Sequence, residues 1–347
     1  MCNIAGYVGT RAAAPILIEM MRKQEGLDAG FYTGIATIHE GKIYCAKVVG
    51  TVDDLISNTD ALNLPGTIGI IHSRTPGGKN QCNEEWAHPF TTIRDGEIET
   101  AYIANGCIRF FNPWLEKRIA IAESLHNDGY EIKAKVYSPT SSYKLSNGMT
   151  MHGSDVMCQL ITRNIDHGVN AVDAMANAFC ENPGEIVGLL LSKTEPDGIA
   201  WARMNFPMHV NFVEHGAYLA TTPMAFPEDA GEPQLLHPFS SGMIYKDHLT
   251  IKPFKNPPAE IWPMDSILFH KMYEVIYAEL KKEGGTTVPE LGKLITPMFG
   301  EGKLAPIGAV IYRILYDINR IEPLKFETKY KPGQTENLKA PVFYMSL

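Results

Sequence analysis

Short apolar runs punctuated by glycine alternate along this chain with longer stretches whose apolar positions recur at helical spacing. The head, MCNIAGYVG, is short, apolar and broken by glycine, which predicts a buried strand. Residues 12–23 (AAAPILIEMMRK) predict an amphipathic helix. Strand-like runs follow at TGIATIHEGKIYCAKVVG, where EGK at 40–42 signals a hairpin, at GTIGIIHS and at IETAYIANG. Residues 112–128 predict a helix with Asn112 as its cap, Pro113 in its first position and Gly129 just past its end. SDVMCQLITRNI and VNAVDAMANAFC predict two more helices, the first capped by Ser154. Strands resume at IVGLLLSK, GIAWARM, GAYLATT and MIYKDHLTIKPF. Blocks of strands alternating with blocks of helices predict sheets packed on helices, an α+β organisation.

After Phe254 the pattern changes. KNPPAEIWP reads as a proline-rich linker. DSILFHKMYEVIYAELKKEG, TTVPELGKLI and APIGAVIYRILYDINR predict three helices, the second with Thr287 and Glu290 spaced for a capping box. KFETKYKPGQTENLKAPVFYMSL predicts a two-stranded wing, so this part reads as a winged-helix-like module. The chain is expected to divide into residues 1–253 and a smaller, mainly helical unit, 254–347.

Composition narrows the function classes. At 347 residues the chain is long enough for two domains. No apolar run reaches the roughly 18 residues of a membrane span, and no secretory leader pattern opens the chain. The six cysteines form no CxxC, which fits free thiols and a cytoplasmic location. A net charge of −8 argues against nucleic acid as a partner. From residue 254 onward, 12 Lys+Arg face 11 Asp+Glu, so the tail is nearly neutral and fits protein interaction or dimerisation better than DNA binding.

The chemistry comes from joining the head of the chain to three later stretches. With Met1 removed, Cys2 carries a free α-amine, whose pKa of about 7.7–8.0 lies below the roughly 8.5 of a thiol. One residue then supplies both nucleophile and general base. Thiol attack on an amide creates an oxyanion, for which Asn105 and Gly106 offer a side-chain amide and a backbone N–H. Arg74 offers a planar fork for a carboxylate, and Asp155 an anion for an ammonium. Together these describe a pocket for an α-amino acid bearing a side-chain amide, and L-glutamine is the natural candidate. Taken singly each has a plainer reading: a buried hydrophobe for Cys2, a surface ion pair for Arg74, a turn for Asn105-Gly106, a helix N-terminus for Asp155.

In this order, MCNIAGYVG, GIIHSR, EEWAHPF, AYIANG and GSDVMCQLI resemble the class II glutamine amidotransferases, which are N-terminal-nucleophile hydrolases. The likeness is strongest to the glutaminase domain of glucosamine-6-phosphate synthase. That domain opens Cys-Gly-Ile-Ala-Gly-Tyr and then shows His-Thr-Arg-Trp, Ala-His-Pro, Asn-Gly and Ser/Thr-Asp. Each motif is weak alone; five in order, with Cys at position two, are specific. The resemblance covers roughly residues 1–253 and implies a four-layer αββα sandwich, two antiparallel sheets between helical layers. It implies Cys2 as nucleophile and base, Asn105 and Gly106 as oxyanion hole, Arg74 for the substrate carboxylate and Asp155 for its ammonium. It also implies His88 as a pocket residue and His72 in a more structural place. No cofactor or metal is expected. The ammonia would pass to a separate synthase chain, with the tail docking that partner or a second copy of this chain.

The chain departs from the pattern in three places. The family's Arg-Gly-x-Asp is replaced by GLDAGFYTG, with Asp28 and Phe31 in the charged positions. The loop after Arg74 is TPGGKNQ, without the family's tryptophan and histidine, for which Trp86 is a potential substitute. An insertion at 137–153 is expected to act as a lid. These changes keep two alternatives open: a weakly catalytic regulatory or scaffold protein, and an N-terminal-cysteine acylase acting on another amide.

Overall fold

The structure, a computed structural model, describes residues 2–137 and 144–347. It begins with strand β1 (Asn3–Gly9), helix α1 (Ala13–Arg22), the one-turn α2 (Glu25–Asp28) and the hairpin β2 (Tyr32–His39) and β3 (Lys42–Val49). Helix α3 (Val52–Asn58) leads to β4 (Ile68–Arg74), β5 (Phe90–Arg94) and the long β6 (Glu97–Cys107). Then come α4 (Leu115–Asn127), the small hairpin β7 (Lys135–Tyr137) and β8 (Met149–Met151), α5 (Gly153–Asp166) and α6 (Ala171–Glu181). Strands β9 (Glu185–Ser192), β10 (Ile199–Arg203), β11 (His209–Val213), β12 (Gly216–Ala220), β13 (Gln234–Leu235), β14 (Ser240–Ile244) and β15 (Lys252–Pro253) follow. The tail holds α7 (Ser266–Leu280), α8 (Val288–Ile295), α9 (Ile307–Ile321), β16 (Lys325–Pro332) and β17 (Lys339–Ser346).

Two antiparallel sheets form, ordered β13-β11-β12-β1-β4-β2-β3 and β15-β14-β10-β9-β6-β5. Successive strand residues point to opposite faces, so the pattern of each strand assigns its layers. On β1, Ile4 and Val8 join the core between the sheets, while Ala5 and Tyr7 pack under α1 and α3 with Leu17, Met21, Val52 and Leu55. On β6, Ala101 and Ile103 face the other sheet, while Tyr102 and Ala104 face α5 and α6 through Val156, Leu160, Ala174 and Ala178. The result is helices, sheet, sheet, helices: the αββα sandwich.

Two expected caps differ. His152, not Ser154, caps α5, its Nδ1 accepting from the Ser154 N–H at 3.0 Å. Residues 109–114 form 3₁₀ turns, so α4 starts at Leu115 and Asn112 caps nothing. Helix 12–23 and the Thr287–Glu290 capping box form as expected. Of the insertion at 137–153, residues 138–143 lie outside the described residues; the rest adds strand β8 against β7.

The tail places three helices before the β16–β17 hairpin, with Thr286 bridging Met345 beside it. Its core (Ile276, Leu291, Ile311, Leu315, Met345) takes in Leu27 of α2. Gly26 lies so close to Phe343 that a Cβ there would sit 2.4 Å from the ring, and Asn205 donates to the Ala305 carbonyl at 3.3 Å. Arg313 and Arg320 of α9 both reach Glu232. Ile267, Ile321 and Tyr330 of the tail remain exposed.

Candidate active site

The same period-2 logic assigns the strand candidates to their faces. Cys2 is in step with Ile4, His72 and Arg74 with Ile70, and Asn105 with Ile103, so all belong to the faces the two sheets turn toward each other. Asn3 pairs with Ser73, which sets Cys2 beside Arg74. Cys2 is 8% exposed, and its Sγ lies 3.8 Å from the Thr75 Oγ1. The sheets are tied here by His72, whose Nε2–H donates to the Ala104 carbonyl at 3.1 Å.

Asn105 is fully buried, and neither atom of its amide has a hydrogen-bond partner among the described residues. Buried amides are nearly always paired, since leaving one unsatisfied costs about 1–3 kcal/mol. Gly106 is held in place by crowding: a Cβ would lie 2.1 Å from the Ile186 side chain. A cavity of about 170 Å³ adjoins this strand end, lined by Ala104, Gly106, Cys107, His152, Gly153 and Met157.

Arg74 stacks 4.8 Å over the Tyr32 ring and 5.9 Å from the Trp86 ring, and one N–H donates to the Trp86 carbonyl at 3.1 Å. Burial lowers its pKa, but a guanidinium stays charged. Trp86 therefore does sit at the site, gripping Arg74 from the side. His88 stacks on His72 at 3.7 Å and meets His152 edge-on at 5.3 Å. Both His88 ring nitrogens lack partners among the described residues. Burial pushes His72 down to about 3, and His88 and His152 well below the usual imidazole range, so all three are neutral near pH 7.

Asp155 is used differently from the other residues. It is buried, and its carboxylate accepts from the Lys133 and Ala134 N–H groups at 2.8 and 2.9 Å and from Gln159 at 3.1 Å. These three donors belong to the fold, so the carboxylate anchors the 133–134 segment to α5.

The positions that depart from the family pattern lie against the tail. Lys331 sits 5.0 Å over the Phe31 ring, and a Cβ on Gly30 would lie 2.7 Å from Pro341. Sequence reasoning missed His152 and Tyr312. His152 was hidden because only its packing against His88 reveals it. Tyr312 on α9 is buried, its hydroxyl has no partner among the described residues, and burial and then the nearby Cys2 charge push its pKa up. No local signal ties a tail helix to Cys2. Among the described residues no group of His, Cys, Asp and Glu is arranged to hold a metal, and no helix is long and apolar enough to cross a membrane.

The chain folds as a two-sheet αββα sandwich with a cysteine directly ahead of a central strand. Solved structures agree on the fold. The glutamine phosphoribosylpyrophosphate amidotransferase of B. subtilis matches with a TM-score of 0.55 at 18% identity, over 75% of this chain and 51% of that one. A structure described as the allosteric regulatory enzyme of purine biosynthesis matches at 0.58 and 15%, over 90% and 63%. No family model matches the chain. Curated proteins that it resembles include glutamine–fructose-6-phosphate aminotransferases (isomerizing). The one from Pyrococcus horikoshii is 28% identical over 256 residues, 73% of this chain and 38% of that protein. The one from Methanothermobacter thermautotrophicus is 30% identical over 226 residues, 64% and 33%. The homologues of this chain are class II glutamine amidotransferase domains, and the chain spans little more than a third of the length of these relatives.

Proposed function

We propose that the chain hydrolyses L-glutamine with Cys2 as the nucleophile and delivers the ammonia to a synthase-type partner. The observation that carries this reading is the buried, unpartnered amide of Asn105 on a strand that faces the sheet Cys2 leads into. An oxyanion forming there would supply the missing acceptor. After Met1 is removed, the Cys2 amine takes the thiol proton and the thiolate attacks the side-chain carbonyl carbon. The negative charge moves to the carbonyl oxygen, which the Asn105 amide and the Gly106 N–H receive. The C–N bond then breaks, the amine's proton goes to the leaving nitrogen, and ammonia departs from a γ-glutamyl thioester. Water, deprotonated by the same amine, releases glutamate.

In this reading Arg74 binds the substrate α-carboxylate, held square by Tyr32 and Trp86. Neutral His88 and His72 wall the pocket without competing for protons. The ammonium contact assigned to Asp155 becomes secondary, because that carboxylate already serves three donors. Ammonia is nucleophilic only while unprotonated, which favours direct transfer to an acceptor chain over release into water.

The test combines mass spectrometry of the intact N-terminus with a glutaminase assay. The active chain is expected to start at Cys2, and glutamine is expected to leave a glutamyl adduct there. Cys2→Ala is expected to abolish hydrolysis with an unchanged unfolding midpoint. Undiminished turnover by Cys2→Ala would sink the proposal.

A further inference from the structure

The loop after Arg74 is fastened from the far end of the chain. Gln334 lies in the turn of the β16–β17 hairpin. Its Oε1 accepts from the Gly77 N–H at 2.9 Å and its Nε2 donates to the Gly78 carbonyl at 3.1 Å. The Cys82 sulfur sits 3.7 Å from the Gln334 carbonyl and 3.6 Å from its Nε2. At its inner side the loop is held by the Tyr32 hydroxyl, which donates to the Gln81 carbonyl. The segment TPGGKNQ therefore hangs between two anchors, one in the cleft and one in the tail.

What hangs there bears on the site. Arg74 immediately precedes the loop, and Thr75 within it carries a hydroxyl 3.8 Å from the Cys2 sulfur. Gly77 and Gly78 have no side chains to hold the backbone, and glycine has the most conformational freedom to lose. Residues 78–81 close on themselves, the Gly78 N–H donating to Gln81 Oε1 at 3.0 Å and the Gln81 N–H to the Gly78 carbonyl at 2.9 Å, and the anchors fix where that turn sits. Asn105, by contrast, lies within β6, and the backbone of Cys2 leads directly into β1.

We propose that Gln334 is a positioning residue for substrate capture: the C-terminal hairpin sets the conformation of residues 75–82 and thereby the placement of Thr75 and of the loop that borders Arg74. The tail is then part of the hydrolytic unit. This rests on the reading of the chain as a glutaminase. A loosened loop must be reordered each time substrate binds, which raises KM, whereas bond-making groups outside the loop keep kcat.

The test compares the full chain with Gln334→Ala and Gln334→Glu by amide hydrogen exchange over residues 75–82 and by glutamine kinetics. Gln334→Ala is expected to speed loop exchange about fivefold or more. It is expected to raise KM about 3–10-fold with kcat within about twofold of the parent. Gln334→Glu keeps the acceptor for the Gly77 N–H and is expected to fall between the two. Unchanged exchange, or faster exchange with an unchanged KM, overturns the proposal. Absence of glutamine turnover in the parent chain overturns the functional reading instead, and the capture role with it, so the two failures are separately visible.

Discussion

Asp155 stands in the first turn of α5, where a helix dipole favours a carboxylate, and the fold uses it there. Removing it as Asp155→Ala strands the Lys133 and Ala134 N–H groups. Unfolding stability is expected to drop by about 2–4 kcal/mol, measured in urea. Parent-like stability with weakened glutamine binding would instead return the carboxylate to the substrate. Asn105 is the converse case. Asn-Gly reads in sequence as a turn, yet both residues lie inside β6, with Asn105 opposite Val187 and Gly106 opposite Ile186. The residue type was legible; its complete burial without a partner came only from the packing of two sheets.

At the scale of elements, β2 shows how a strand holds the site without contributing a reacting group. Gly34 pairs with His72, and the His88 carbonyl lies over it so closely that a Cβ would come within 2.1 Å. Gly34→Ala is expected to lift the His88 segment off the sheet, costing about 1–3 kcal/mol and parting His88 from His72. A denaturation curve together with the histidine ring resonances would check both effects. Unchanged resonances would mean that the carbonyl moves aside without consequence. The strands and most helices were legible because their periodicities are local. The start of α4 and the cap of α5 were not, because 3₁₀ turns and a histidine cap leave weak local signals.

At the scale of the whole molecule, the three neutral histidines make stability depend on acid. Unfolded, each takes a proton near pH 6.5; folded, burial holds His72 to about 3 and lowers His88 and His152 well below the usual range. Between these limits the unfolded state binds more protons, so their contribution is present above pH 6.5 and is lost as pH falls. Glu25 acts in the opposite sense. Burial raises it to about 7, so its contribution is present below about pH 4.5 and is lost as pH rises through 7. Buried His209, pushed to about 3, adds to the histidines' sense and Asp155, raised by burial, to that of Glu25; the histidines outweigh the carboxyls, and the urea midpoint is expected to fall steadily from pH 6.5 to about 4. A flat profile over that window would mean that these histidines carry charge in the native state.

The order of the motifs, the run of strands and helices and the residue types of the site were determined by the sequence itself, because each is written in neighbouring residues. Which of those residues face one another was decided only by tertiary structure. Cys2 and Arg74 come side by side because β1 pairs with β4, and Asn105 shares the inward face because β6 alternates in step, whereas Asp155 is claimed by backbone donors of its own fold. The tail's apolar pattern predicts a helical core but not that Leu27 of α2 joins it. The contact between Gln334 and Gly77 spans 257 positions along the chain, and no local periodicity encodes a pairing over that distance.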